Sequence, residues 1–180
     1  MISLIACVDM GMGIGDKNND LLFDLPADRR YFRETTKKKI VVMGRKTWES
    51  LPEDKRPLDR RENYVLTRDK DFVAEGAKVI HSIEEILELG KGSKEVFIMG
   101  GGELYKQMMP HADKMYLTHV HNINMDARVF FPNFGLEWKA LTEIRHKADN
   151  KHAHSFTFAT YEPNKKYAVE TEEEENNQDN

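Results

Sequence analysis

The stretch Phe97-Ile98-Met99-Gly100-Gly101-Gly102-Glu103-Leu104-Tyr105 decides how the chain reads. Residues 96–99 have strand character and run straight into three glycines. An amphipathic segment follows, with Leu104, Met108 and Met109 apolar, and stops at Pro110. The order is strand, tight turn, helix. Glycine lacks a Cβ, so the backbone can turn sharply there and lie close against a ligand. The helix aims its free N–H groups and positive dipole end at the turn, which suits a phosphate. A Gly-rich turn with no ligand fits the same residues. The spacing is not GxGxxG and carries no P-loop lysine, so the stretch alone names no cofactor.

The pattern extends outward. Residues 2–8 are a nearly continuous apolar run, the mark of a strand buried on both faces. Residues 9–20 hold Gly11, Gly13, Gly15, Asn18 and Asn19 and read as a long, mobile loop with Leu21-Leu22-Phe23 at its end. Leu25-Pro26-Ala27-Asp28 opens a helix, since Pro26 suits its first turn and Asp28 its positive end. Residues 40–43 form a second strand, and Gly44-Arg45-Lys46-Thr47 starts a second helix with two cations where the dipole disfavours them. Residues 63–67, 78–80, 96–99 and 114–121 read as further strands, and 82–89 as a helix opened by a Ser82/Glu85 capping box. Residues 138–145 and 155–161 alternate like an antiparallel hairpin. The expected fold is α/β: a mostly parallel central sheet of about eight strands, helices on both faces, and an antiparallel C-terminal edge strand. Residues 1–162 form one domain, and 163–180 an acidic, disordered tail. Both glycine turns then lie at the C-terminal ends of strands, where such sheets bind ligands.

The 180 residues suffice for one sizeable core. The net charge of −4 owes much to the acids between 170 and 179, so the body shows no nucleic-acid footprint. The single cysteine, Cys7, excludes an intrachain disulfide and fits a reducing, cytoplasmic setting. No apolar run approaches a membrane span, and the seven histidines show no metal spacing. Among residues that could carry chemistry, Asp28 is a dipole partner on helix statistics. Its apolar neighbours Leu25 and Phe32 also suit a carboxylate that binds a nitrogen-rich ring. Arg45, Lys46 and Thr47, with Arg68 and His81 at later strand ends, could hold a phosphate monoester. Arg56 and Arg61 could clamp a substrate carboxylate, or belong to a solvated charge run.

Taken together, Ile2-Ser3-Leu4-Ile5-Ala6, Gly13-Ile14-Gly15, Leu25-Pro26-Ala27-Asp28, Val42-Met43-Gly44-Arg45-Lys46-Thr47-Trp48-Glu49-Ser50, Met99-Gly100-Gly101-Gly102-Glu103-Leu104-Tyr105, Tyr116-Leu117-Thr118-His119 and Phe131-Pro132 resemble dihydrofolate reductase, in order. The resemblance implies reduction of 7,8-dihydrofolate with NADPH, with hydride to C6 and a proton to N5. It implies a pterin-binding carboxylate at Asp28, supported by Thr118, with Leu21 and Phe23 beside the reacting centre. Ile5, Phe32, Leu51, Leu58, Met99 and Tyr105 would meet the substrate, and Arg61, with Arg56 nearby, its glutamate. Cofactor contacts would come from Cys7, from Gly13, Ile14, Gly15, Asp16 and Asn18 in a closing loop, and from Gly100, Gly101, Gly102, Glu103, Leu104, Tyr105 and Gln107. The family has a cis Gly–Gly peptide in that turn. Thr47 and Thr67 would also meet the cofactor, and Arg45, Lys46, Arg68 and His81 would read the adenosine 2′-phosphate. A cytoplasmic monomer without nucleic-acid or membrane partners is expected. Leu22-Phe23 departs from the family's usual Pro-Trp; Phe23 keeps an apolar wall without an indole N–H. Arg128 stands where an acidic residue is common. A pyrimidine reductase of the same fold, or a non-catalytic nucleotide-binding module, are the alternatives.

Overall fold

Runs of branched apolar residues between glycine turns become the centre of an eight-stranded sheet. The computed structural model describes residues 1–18 and 20–165. In chain order the elements are β1 (Ile2–Val8), β2 (Gly13–Gly15), α1 (Pro26–Thr36), β3 (Ile40–Gly44), α2 (Arg45–Ser50), β4 (Glu62–Leu66), β5 (Lys78–Ile80), α3 (Ile83–Gly90), β6 (Val96–Ile98), α4 (Gly102–Met108), β7 (Lys114–Val120), β8 (Val129–Phe130), β9 (Trp138–His146) and β10 (Phe156–Pro163). The sheet order is β5-β4-β3-β6-β1-β7-β10-β9. Strands β5 to β7 of that order pair in parallel, and β10 runs antiparallel between β7 and β9. The antiparallel strand thus lies one place in from the edge.

Helices cover both faces. One face packs Ile86 of α3 and Leu104, Tyr105 and Met108 of α4 against Leu4, Val42 and Ile98. The other packs Phe32 of α1 and Trp48 of α2 against Ile5, Val41, Met43 and Phe97. Neighbouring strand residues alternate between these two groups, as the period of a strand requires. The Ser82/Glu85 capping box opens α3 as expected. Helix α1 ends at Lys37, and the backbone reverses through Lys38 at φ 61°.

Residues 9–18 hold more regular structure than a plain loop. Gly13–Gly15 is a strand, β2, paired antiparallel with β8. Asp9, 2% exposed, accepts from the amides of Gly11 (2.8 Å), Gly13 (2.7 Å) and Asn124 (2.9 Å). Its carboxylate therefore ties this segment to the chain before β8. A three-residue Gly-Ile-Gly strand shows no periodicity, so only its distant partner reveals it. The expected tail falls mostly on residues 166–180, outside the described residues; β10 itself reaches Pro163. Among the described residues no helix is long and apolar enough to cross a membrane.

Phe97 is fully buried at the centre of the second core group. Phe97→Ala should lower the unfolding free energy by about 3–5 kcal/mol, read from a urea titration. A loss below about 1 kcal/mol would mean that the core closes over the cavity without cost.

Candidate active site

Asp28 sits in the first turn of α1, and the fold carries that turn to the end of β7. There Thr118 Oγ1 donates to Asp28 Oδ1 at 2.6 Å. Thr118 is 1% exposed and fixed by its place beside Cys7 on β1 and Phe158 on β10. Burial raises the Asp28 carboxyl above its ordinary range, and the Thr118 hydrogen bond pulls it partway back. Burial also pushes the Cys7 thiol up, with Asp28 and Asp9 adding to it, so Cys7 is held as a thiol and not as a nucleophile.

Ile5 and the partly buried Phe32, Leu51, Leu58 and Met99 share one packed group, an apolar wall, with Trp48, Phe97 and Tyr116. Tyr105, 3% exposed, donates its hydroxyl to the Ile5 carbonyl at 2.6 Å, and its phenol is driven strongly upward by burial. Tyr31 stacks on Phe158 at 4.2 Å, an aromatic layer behind Asp28 that no sequence pattern announced. Arg61 lies at the far end of the wall, 5.6 Å from the Phe32 ring centre, and donates to Thr36 Oγ1 and the Asp59 carbonyl. Arg56 is committed elsewhere. It donates to the carbonyls of Trp48 (3.1 Å) and Glu49 (3.3 Å), bracing the last turn of α2, where the helix dipole favours a cation.

The two glycine turns meet as expected. Gly44 N–H donates to the Gly100 carbonyl at 2.8 Å, and Met99 N–H to Val42 O at 3.0 Å. The Gly100–Gly101 peptide is cis, and Gly100 has φ 127°. A Cβ on Gly100 or Gly101 would lie 3.4 or 3.5 Å from Thr47 Oγ1, so Thr47 walls the turn. A Cβ on Gly102 would fall 2.7 Å from the Phe130 carbonyl, so β8 demands glycine there. Leu104 faces the core, 5% exposed. Glu103 accepts from Gln107 Nε2 at 3.2 Å on the outer face of α4.

The cations at the strand ends are of two kinds. Arg45 pairs with Glu49 (2.7 Å) and Asp69 (2.8 Å) and lies over the Phe72 ring. Those acids offset the misplaced charge that the sequence presents at the start of α2. Lys46 and Arg68 are exposed. His81 Nδ1 is 2.8 Å from the Thr67 carbonyl, which makes it the protonated nitrogen and leaves Nε2 bare in the neutral ring. Thr67 itself is buried and receives the Asp69 amide on its hydroxyl. In the 13–23 segment, Asp16 accepts from the amides of Asn18 and Asp20. Ile14 packs against the core, and Leu21, 72% exposed, meets solvent rather than the Asp28 group. Phe23 packs beside Cys7 and Leu25, edge-on to His154 at 5.7 Å.

The dihydrofolate reductase family model matches residues 1–163. This chain belongs to the dihydrofolate reductase family. The dihydrofolate reductase of Bacillus subtilis is 36% identical over 163 residues, which is 90% of this chain and 94% of that protein. The type 3 dihydrofolate reductase of Salmonella typhimurium is 39% identical over 161 residues, 89% of this chain and 96% of its own. A solved dihydrofolate reductase from Enterococcus faecalis, complexed with NADP(H) and RAB-propyl, superposes with a TM-score of 0.84 at 32% identity, covering 91% of this chain and 96% of that one. The Gly100–Gly101 cis peptide agrees with the family resemblance drawn from the sequence.

The raised Asp28 carboxyl has a consequence for stability. The folded chain binds this proton more tightly than the unfolded chain, so the benefit of the neutral acid is present at low pH and is lost as pH rises through the folded value. At neutral pH the buried charge costs stability. Asp28→Asn should therefore raise Tm at pH 7, and the gain should shrink as pH falls toward the ordinary carboxylate range. Thermal melts across pH measure this; an unchanged or lower Tm at pH 7 would mean that the charge carries no penalty.

Proposed function

We propose that the cleft walled by Asp28, Phe32, Met99 and Tyr105 is where this chain reduces 7,8-dihydrofolate to 5,6,7,8-tetrahydrofolate. NADPH is the cofactor of the family's reaction. The observation that carries the assignment is the 2.6 Å Thr118–Asp28 hydrogen bond beside an apolar wall that ends at Arg61. A pterin presents two adjacent donors, the 2-amino group and N3, and a carboxylate offers two acceptor oxygens to match. Thr118 occupies one lone pair of Oδ1, so the carboxylate is oriented before substrate arrives. Burial leaves the Asp28 carboxylate poorly solvated, so it would favour positive charge on the bound pterin and hence protonation at N5, with water as the immediate donor. Ile5 O is held in place by the Tyr105 hydroxyl, and Met99 O stands at the neighbouring strand end. Arg61 suits the substrate's glutamate carboxylate, which argues for a folate over a ribosylated pyrimidine.

The residues present also fit a phosphorylated dinucleotide. The Gly44 and Gly100 turns touch, Thr47 lines them, and exposed Lys46 and Arg68 stand at the neighbouring strand ends. Those two cations, with Arg45 drawn from its acidic partners and His81 offering Nε2, would read the 2′-phosphate. When bound, NADPH supplies the hydride that goes to C6. Residues 13–18 and Phe23 would close over that end and exclude water. The chain is proposed to act as a cytoplasmic monomer.

Loss of NADPH absorbance should require dihydrofolate; no substrate-dependent oxidation would refute the reading. Asp28→Asn should cut turnover on the order of 10²-fold or more near neutral pH. The loss should be smaller at low pH, where dihydrofolate arrives already protonated. Full turnover at pH 7 would remove Asp28 from its role.

A further inference from the structure

Helix α1 begins without a side-chain cap of its own. Leu25 holds the N-cap position and makes no side-chain hydrogen bond, and Pro26 has no N–H. Ala27, one residue before Asp28, thus presents the first free amide of the helix. That amide donates to Nε2 of His152 at 3.2 Å, 125 residues along the chain. His152 comes from the turn between β9 and β10 and is 9% exposed. Asp149 and His152 exchange backbone hydrogen bonds of 3.0 and 3.2 Å. Asp149 Oδ1 also meets His152 Nδ1 at 2.8 Å and accepts from Lys151 N–H at 2.8 Å. The Phe156 ring packs 5.2 Å from the imidazole.

These partners define the tautomer. A backbone N–H only donates, so Nε2 must be the bare nitrogen. The carboxylate of Asp149 only accepts, so Nδ1 carries the hydrogen. Asp149 therefore selects the one ring form that can cap α1. We propose that His152 is a positioning residue for Asp28. The Asp149–His152 pair supplies, from the β9–β10 turn, the cap that α1 lacks, and so holds the turn bearing the substrate-binding carboxylate. Two residues on, His154 packs against Phe23, so the same connection braces the segment leading into α1 at a second point. The inference rests on the reading of Asp28 as the pterin-binding group.

Three variants test it, each checked for folding by circular dichroism. His152→Phe keeps a ring and removes the acceptor. His152→Gln keeps an acceptor. Asp149→Ala keeps the imidazole but frees its tautomer. His152→Phe should raise KM for dihydrofolate about tenfold and lower kcat, with KM for NADPH within about twofold of the parent. His152→Gln should recover most of the loss, and Asp149→Ala should shift the dihydrofolate KM in the same direction as His152→Phe. A folded His152→Phe with unchanged dihydrofolate KM and kcat overturns the proposal, as does an equal rise in both KM values, which a general loosening would give. If His152→Phe does not fold, the remaining pair decides: an Asp149→Ala variant with unchanged dihydrofolate KM overturns it. Asp28→Asn in the same assays separates the two claims. If Asp28→Asn is impaired and the His152 and Asp149 variants are not, only the positioning role fails; if Asp28→Asn turns over normally, the reading beneath it fails.

Discussion

One hydrogen bond, Thr118 to Asp28 at 2.6 Å, joins the start of α1 to the end of β7 across 90 residues of sequence. Its length is that of a hydroxyl donating to a charged carboxylate, and both partners are held by the fold. Thr118 is clamped between β1 and β10, and α1 lies over the sheet through Phe32. A carboxylate placed in this way has little freedom to reorient or to gather water. Its solvation is replaced by one hydroxyl, an apolar wall and, at the neighbouring amide, an imidazole cap. The loss of water is what lifts its proton affinity, against the opposing pull of the Thr118 hydroxyl, and it makes the site useful and the fold slightly weaker in the same stroke.

The cofactor side follows from register. Because β3 and β6 pair in parallel with Val42 opposite Ile98, their two exits fall side by side. Gly44 and Gly100 then touch through a backbone hydrogen bond, and Gly100 holds a φ of 127° that favours glycine. The closeness of β8 to Gly102 adds a third constraint, so the turn is shaped from three directions. Arg45 is already neutralised by Glu49 and Asp69, while Lys46 and Arg68 face solvent. A phosphate arriving here would meet two ready cations and one that must be drawn from its partners.

Much of this was legible in the residues, for particular reasons. Strands β1, β3 and β6 are buried on both faces, and such strands write themselves as apolar runs. The glycine turns and the Ser82 capping box are local, so local sequence reveals them. Asp28 is ambiguous: its helix position says dipole partner, its apolar neighbours Leu25 and Phe32 also suit a ring-binding carboxylate, and the family's motif order is what singles out the pterin. Phe32, Leu51 and Leu58, apolar in the sequence, pack in one group with Ile5 and Met99. What stayed hidden depends on partners far away in sequence. The β2–β8 pair is too short for a period, and Arg56 is claimed by backbone carbonyls of α2. Leu104 lies in the cofactor stretch but turns to the core. His152 contacts a backbone amide, and no spacing of side chains encodes such a contact.

The strand order also sets an order in time. Among the described residues β10 is the last strand in sequence, yet it sits inside the sheet, between β7 and β9. Until it arrives, β7 has an open edge on the Thr118 side, and β9 has no neighbour at all. Synthesis runs from the N-terminus, so the ribosome would deliver β1 to β9 before the strand that joins them can form. Phe156 and Phe158, which back His152 and Tyr31, come with it. A nascent chain would therefore hold most of its core early and a finished carboxylate site only after Pro163 has emerged.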